Sequence, residues 1–270
     1  MQTTAPILPT LFVPHGAPTF ALRPGAAGDA LRRLAAALPR PRAVVVASPH
    51  WDTDQPTVGL ADRPETLHDY WGFPRELYAI RYPASGCREA AAEVLASLRD
   101  AGFAALADAG RGLDHGAWVP LRLMYPDADV PVIPLSIQAA RGPAHHLALG
   151  RALSALPGRG FLVLASGNAT HNLRDFQLVA GGAAGAVPDY VRAFPDWLWQ
   201  RLAAGDVEGL LDYRSRAPDA ERAHPSEEHL LPLYLALGAA GQGARAARAH
   251  AGVDDYVLAM DAFVFRGATA

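Results

Sequence analysis

Short runs of large apolar and β-branched residues recur along the chain and end abruptly at glycine, proline or polar positions. Runs of this length between turn residues are typical of strands that are buried on both faces. The clearest, residues 161–165, ends in Ser166-Gly167-Asn168. The same pattern predicts strands at residues 7–13, 43–47, 57–60, 103–107, 131–137 and 256–265.

Apolar residues at helical spacing separate these strands. They predict helices at residues 28–39, 88–100, 119–124, 143–156 and 187–204, and from 226 to about 237. A glycine- and alanine-rich linker is expected between His171 and the helix at 187. The alternation of strand and helix predicts one α/β domain over residues 1–270, with a central mostly parallel or mixed sheet flanked by helices.

In three of the predicted strands, a histidine lies within a few residues after the carboxyl end. These are His15, His50 and His171. In an open α/β sheet the carboxyl ends of the strands share one edge, where ligands bind. One loop histidine would mean little, but three imidazoles at one edge predict a metal site there.

Composition excludes several functional classes. The chain has 270 residues, 50% of them hydrophobic and 19% charged, and a net charge of −3, which gives no basic surface for nucleic acid. It contains no lysine, so Schiff-base chemistry, pyridoxal phosphate anchoring and a Walker P-loop are excluded. No apolar run is long enough to span a bilayer.

The single cysteine, Cys87, fits a reducing compartment, and the start of the chain has no basic region typical of a signal peptide. A cytoplasmic location is therefore expected. The sequence does not indicate an oligomeric state.

The candidate metal ligands are, in order, His15, His50, His229 and His171. His229 is predicted in the first turn of a helix capped by Ser226, where the positive helix end favours neutral imidazole. Neutral imidazole is the form that binds a metal. An all-nitrogen site suits zinc, iron(II) or copper, and three protein ligands leave open positions, as in catalytic sites.

His115 is a candidate acid/base, because Asp114 beside it could hold its Nδ1–H while Nε2 faces the cleft; a plain turn residue is an equal alternative. Trp51 and Trp118 could form a wall for an aromatic substrate, although core packing is commoner. Residues 66–83 are expected to form a loop that covers the site or packs on the core. His68, His224 and His250 are assigned to structural or surface positions. His145 and His146 are expected on the solvent-facing side of the helix at 143–156, and Arg245 and Arg248 on a solvated surface.

Six motifs, in order along the chain, resemble the DODA-type extradiol aromatic ring-opening dioxygenases, the 4,5-DOPA dioxygenase branch of the LigB-like class III enzymes. They are FVPHGAP from Phe12, SPHW from Ser48, GLDHGAW from Gly112, MYPDAD from Met124, SGNATHNL from Ser166 and EHLLPL from Glu228. The resemblance extends from about His15 to the last strand. Relatives often carry serine after the glycine in the first motif, where this chain has Ala17.

The resemblance implies a mononuclear non-haem iron(II) site, in which zinc is often found on purification. His15, His50 and His229 would be the ligands, His171 a fourth ligand or the catalytic base, and His115 would lie beside the oxygen site. The wider superfamily has glutamate in place of the third histidine. The implied reaction is cleavage of a catechol ring by dioxygen to a semialdehyde.

Two other classes remain open at this point. In a zinc hydrolase the metal would activate water, with His171 or His115 as the base. A non-catalytic metal- or ligand-binding protein would bind the ion without turnover.

Overall fold

The computed structural model describes residues 7–180 and 186–267. Eight strands form one mixed sheet, and two short strands form a separate antiparallel pair. In chain order the strands are β1 (Thr10–Pro14), β2 (Ala43–Asp52), β3 (Thr57–Gly59), β4 (Leu106–Asp108), β5 (Val132–Ile137), β6 (Phe161–Gly167), β7 (Arg245–His250), β8 (Val253–Asp254), β9 (Leu258–Ala259) and β10 (Ala262–Arg266). The order in the large sheet is β4-β3-β5-β2-β6-β1-β10-β7, and β8 pairs with β9.

The centre of the sheet is parallel. Strand β6 pairs in parallel with β1 on one side and with β2 on the other, and β2 pairs in parallel with β5. Strand β10 runs antiparallel to both β1 and β7. Since Pro14 lies opposite Gly167, and Ala47 opposite Ala165, the carboxyl ends of three central strands meet at one edge.

The helices cover both faces of the sheet. They are α1 (Gly25–Ala36), α2 (Arg75–Ala79), α3 (Arg88–Asp100), α4 (His115–Met124), α5 (Gly142–Ala152), α6 (Leu173–Ala180), α7 (Tyr190–Ala204), α8 (Val207–Leu211), α9 (Tyr213–Arg216), α10 (Ala220–Ala223) and α11 (Leu231–Ala239). Alternate residues of the central strands point to opposite faces. Leu162 and Leu164 thus pack with α1 and α4, whereas Phe161 and Val163 pack with α3, α5 and α11. The predicted α/β class and mixed sheet are confirmed.

Several predicted boundaries are wrong. Helix α1 begins at Gly25, three residues before the predicted cap, and the predicted helix at 119 begins at His115. Residues 256–265 are not one strand, because Asp255 and Tyr256 adopt positive φ angles in the turn before β9, and Met260 and Asp261 separate β9 from β10. Residues 245–250, where the pattern predicts no strand, form edge strand β7, in which Arg248 binds Asp196 and the buried Asp261.

The loop predicted over the sheet edge is largely irregular, with the short helix α2 inside it. The predicted linker after His171 is partly helical, as α6, and residues 181–185 of it lie outside the described residues. Within residues 7–180 and 186–267, none of the helices combines the length and apolarity that a bilayer crossing requires.

Candidate metal centre

Five histidines from different elements meet at the edge where β1, β2 and β6 end. His15 directly follows β1, His50 lies near the end of β2, and His171 follows β6. His115 is the first residue of α4, and His229 lies just before α11. The ring centroids of His15, His50 and His229 form a nearly equilateral triangle with sides of 5.1, 5.2 and 5.1 Å.

Hydrogen bonds fix the tautomers of two of these rings. The Nδ1 of His15 lies 2.9 Å from the hydroxyl of Ser166, which itself donates to the carbonyl of Gly116, so this hydroxyl accepts from His15. The Nδ1 of His229 lies 3.0 Å from a carboxylate oxygen of Glu228, which can only accept. Both rings therefore carry their proton on Nδ1 and a free lone pair on Nε2.

The lone pairs converge. The Nδ1 of His50 lies 3.4 Å from a carboxylate oxygen of Asp69, which favours the same tautomer. Its Nε2 then faces the Nε2 of His15 at 3.3 Å. Two lone pairs at this distance repel each other unless a cation lies between them. Nitrogens that bind one tetrahedral ion at about 2.0–2.1 Å are themselves about 3.3–3.4 Å apart.

The third nitrogen supports the same interpretation. The Nε2 of His229 is buried and has no hydrogen-bond partner among the residues described. A buried polar atom without a partner costs on the order of 1–3 kcal/mol, so such an atom in a native fold calls for a missing partner. The ring-centroid distances and this unpartnered nitrogen make His229 the candidate third ligand beside His15 and His50.

Burial keeps these imidazoles neutral. It lowers the pKa of His15 and of His229 well below the usual value, with the neighbouring imidazoles acting in the same direction. It lowers the pKa of His50 to about 3. The predicted role of a helix end is wrong for His229, because α11 begins only at Leu231 and Ser226 bonds to Glu228 instead of capping the helix. Burial of the ring, and not a helix end, lowers the pKa of His229.

Asp69, which lies in the loop over the site, holds the imidazole of His115 in place. Its carboxylate accepts hydrogen bonds from the backbone N–H of His115 at 2.9 Å and from the Nδ1 at 3.0 Å. Burial acts to raise the pKa of Asp69, but the contacts with His115 and His50 outweigh it and lower the pKa to about 2. The prediction that Asp114 orients His115 is wrong: Asp114 caps α4 and binds Ser48 and Arg111.

His171 lies against His229. The two rings are stacked with centroids 3.4 Å apart and an interplanar angle of 7°. Burial lowers the pKa of His171 to about 3, so this ring is also neutral at pH 7. Potential ligand atoms lie within 4.8 Å of one another in two separate sets, one of His15, His50 and His115, the other of His171, Glu228 and His229.

A cavity of about 490 Å³ opens above the histidines. Its apolar wall contains Trp71 and Phe73 from the loop and Phe176 from α6. The predicted tryptophan wall is wrong: Trp118 is fully buried and donates to the carbonyl of Leu67, and Trp51 lies under Arg111. The volume is in the range that holds a small aromatic ligand.

The other histidines lie outside this group. His146 is fully buried, contrary to the prediction of a solvent-facing position, and His224 is buried with Nε2 3.0 Å from the carbonyl of Ala169. Sequence reasoning missed Asp69 and Ser166. Ser166 directly follows the clearest predicted strand, and Asp69 lies in the loop predicted to cover the site. Their positions along the chain could therefore have indicated both residues.

Known families and proteins match most of the chain. The profile of the family described as catalytic LigB subunit of aromatic ring-opening dioxygenase matches residues 26–262. That range contains His50, His115, His171 and His229, and His15 precedes it.

Individual relatives agree with this match. The chain is 38% identical to 4,5-DOPA dioxygenase extradiol of Beta vulgaris over 95% of this chain and 96% of that protein. It is also 38% identical to the protein of that name from Escherichia coli strain K12, over 86% and 85% of the two chains. The crystal structure of uncharacterized protein JW3007 from Escherichia coli K12 superposes with a TM-score of 0.77 at 29% identity, covering 95% of this chain and 99% of that one.

Proposed function

The chain belongs to the LigB family of aromatic ring-opening dioxygenases, and we propose that it is a metal-dependent extradiol enzyme. Its substrate would be a catechol of the L-DOPA type, which dioxygen cleaves to a ring-opened semialdehyde. The observation that supports this proposal is the pair of Nε2 atoms of His15 and His50, 3.3 Å apart, with the unpartnered Nε2 of the neighbouring His229, beneath a cavity of aromatic-ring size. A cytoplasmic location is part of the proposal.

His15, His50 and His229 would hold the metal. Ser166, Asp69 and Glu228 each accept from, or lie beside, the Nδ1 of one of these rings and so keep its Nε2 free. Three protein ligands leave positions for substrate and dioxygen. When bound, iron(II) supplies Lewis acidity towards the catechol oxygens and electron transfer to dioxygen; zinc would occupy the same nitrogens without redox chemistry.

His171 would act as the base. Its ring lines the cavity beside His229 and is neutral at pH 7, so one nitrogen carries a lone pair that can accept a proton from a catechol hydroxyl. Removal of that proton turns the hydroxyl into the anionic ligand that binds a cation tightly.

His115 would deliver a proton later in the reaction. Its Nδ1–H donates to Asp69, which leaves Nε2 as the free nitrogen in the cavity wall. Once Nε2 is protonated, the carboxylate of Asp69 stabilises the imidazolium, and the new proton is the one available to an oxygen atom of the substrate.

The aromatic wall would position the ring. Trp71, Phe73 and Phe176 offer flat apolar surface above the imidazoles, and ring stacking of this kind contributes about 0.5–1.5 kcal/mol for each pair.

Anaerobic iron(II) loading, followed by a panel of catechols and then oxygen, tests the proposal. The expected result is one semialdehyde formed for each dioxygen consumed, seen as a new visible absorption band. Turnover of an ester or amide without oxygen would identify a zinc hydrolase instead. Tight metal binding with no spectral change on addition of any catechol would identify a binding protein.

A further inference from the structure

We infer that this site selects catechols whose ring substituent carries an amine and discriminates against catechols with a carboxylate substituent. The inference rests on the proposed function, since it concerns the substrate of the same cavity. It follows from the charges of the side chains that line the cavity and from the ion pairs made by arginines outside it.

The cavity wall contains two carboxylates and no basic side chain other than the imidazoles, among the described residues. The carboxylates are Asp69 and Glu228. Residues 1–6, 181–185 and 268–270 contain no charged side chain, and the chain has no lysine. An arginine is therefore the only permanently cationic side chain that could bind a substrate carboxylate, and none lines this cavity.

Arg111, which contacts His50, is already paired. It binds the buried carboxylate of Asp114 and lies over the ring of Trp51. Its guanidinium also donates to the carbonyl of His50.

Two further arginines, Arg222 and Arg23, have acidic neighbours outside the cavity. Arg222 binds Asp175 and stacks on Tyr190. Arg23 lies in the neighbouring hollow next to Ala17, together with Asp254 and Asp255, so that hollow carries excess negative charge. A carboxylate substituent inside the cavity would thus meet two acidic groups and no arginine among the described lining residues.

An amine has partners in the same wall. Glu228 is partly exposed at the cavity and accepts hydrogen bonds from Ser226 and His229 through one oxygen, so its charge is not balanced by an arginine. The side chain of Trp71 is 86% exposed, and its indole face can receive a cation. An ammonium group is attracted to both, whereas a carboxylate is repelled by Glu228.

Anaerobic binding measures this selectivity without turnover. Zinc-loaded protein is titrated with 4-ethylcatechol, dopamine, 3,4-dihydroxyphenylpropionate and L-DOPA, which share the catechol and differ in side-chain charge, and binding is followed by calorimetry. We expect dopamine to bind best, the neutral catechol and L-DOPA to follow, and the carboxylate to bind at least about tenfold more weakly than dopamine, which corresponds to ~1.4 kcal/mol. Steady-state kcat/KM of the iron(II) enzyme should follow the same order.

A matched pair of variants adds a cation to the wall. Gln177 lines the cavity on α6, and its neighbour Leu178 is exposed and outside the wall. Gln177→Arg should improve binding of the carboxylate catechol about tenfold relative to dopamine. Leu178→Arg adds the same charge on the same helix, yet should leave the order unchanged.

The possible outcomes separate the two proposals. If 4-ethylcatechol does not bind to the metal-loaded protein, the proposed function fails. If it binds, but the carboxylate catechol binds as well as dopamine or better, the function stands and the selectivity is wrong. Equal effects of the two arginine variants would likewise overturn the role of the cavity wall.

Discussion

The imidazole rings of His171 and His229 lie face to face, with centroids 3.4 Å apart and planes 7° from parallel. An imidazole nitrogen binds a metal through a lone pair in the plane of its ring. An ion in the plane of His229 would therefore lie roughly 3.4 Å from the plane of His171, far beyond a metal–nitrogen bond of about 2.0–2.1 Å. The stacking favours His171 as the base and disfavours it as a fourth ligand of the same ion.

The substitution His171→Ala should separate metal binding from chemistry. We expect it to keep wild-type metal stoichiometry, because the three Nε2 donors and their hydrogen bonds are unchanged. Ring opening should fall about 10²–10⁴-fold in kcat, the usual contribution of a positioned base. Metal analysis and oxygen uptake on the same samples check this. His229→Ala is the control and should lose the metal, and loss of the metal from His171→Ala would make His171 a ligand.

Asp69→Asn should weaken both the metal site and the acid/base residue. The amide removes the carboxylate that His115 and His50 share, so neither ring is held in its tautomer by a charge. Loss of such an outer partner typically costs about 10–100-fold in metal affinity or activity. Chelator competition and the pH profile of kcat measure the two effects.

The control for this prediction is Asp62→Asn. Asp62 is an exposed carboxylate paired with Arg88 on the surface, so its loss should change neither quantity. Wild-type metal affinity together with a wild-type pH profile in Asp69→Asn would show that the carboxylate only supports the loop.

Gly116→Ala should disrupt the site without replacing a titratable residue. A Cβ at this position would clash with the hydroxyl of Ser48 and lie 2.8 Å from the Cδ2 of His50. We expect a loss of roughly 1–3 kcal/mol in the free energy of unfolding and weaker metal binding. Gly110→Ala is the matched control, since the nearest atom to its added Cβ is 3.6 Å away. Equal stability and metal affinity in the two variants would contradict the close approach.

The metal-free protein should lose stability as the pH falls below about 6.5. Burial lowers the pKa of His146 to about 4, and this ring is outside the metal site. Between pH 4 and 6.5 the unfolded chain binds a proton at this residue that the folded chain does not. The free energy of unfolding therefore rises with pH over this window, by up to about 1.4 kcal/mol per pH unit for this one group.

Urea unfolding of the wild type and of His146→Gln at several pH values checks this. The Nε2 of His146 accepts from the backbone N–H of Gln138 and its Nδ1 donates to the carbonyl of Gly142, so glutamine keeps polar contacts without a titrating group. The variant should show a shallower slope below pH 6.5 and the wild-type slope above it. Identical slopes in the acid range would mean that His146 is protonated in the folded state.

The sequence pattern was sufficient for the class of fold and for the place of the site. Buried strands read as continuous apolar runs, and the three histidines at or after the carboxyl ends of β1, β2 and β6 had to share an edge once those strands were parallel. Boundaries near turns were less predictable. The turn at Asp255 and Tyr256 depends on positive φ angles at residues that do not favour them, and tertiary packing decides such positions.

The hydrogen-bond partners of the histidines could not be predicted. Asp69 is separated from His115 by 46 residues, and Asp114, which is adjacent in sequence, points to Ser48 and Arg111 instead. Local sequence therefore suggested the wrong carboxylate. The same reason explains the wrong prediction for Trp118. His115, three residues earlier, faces the site, whereas the side chain of Trp118 packs in the core.

The anomalous-scattering crystal structure of the iron- or zinc-loaded protein tests the central claim most directly. We predict one ion within about 2.0–2.2 Å of the Nε2 atoms of His15, His50 and His229, with His171 outside bonding distance. An ion held by His171, Glu228 and His229, or the absence of any ion at the ends of β1 and β2, would contradict it.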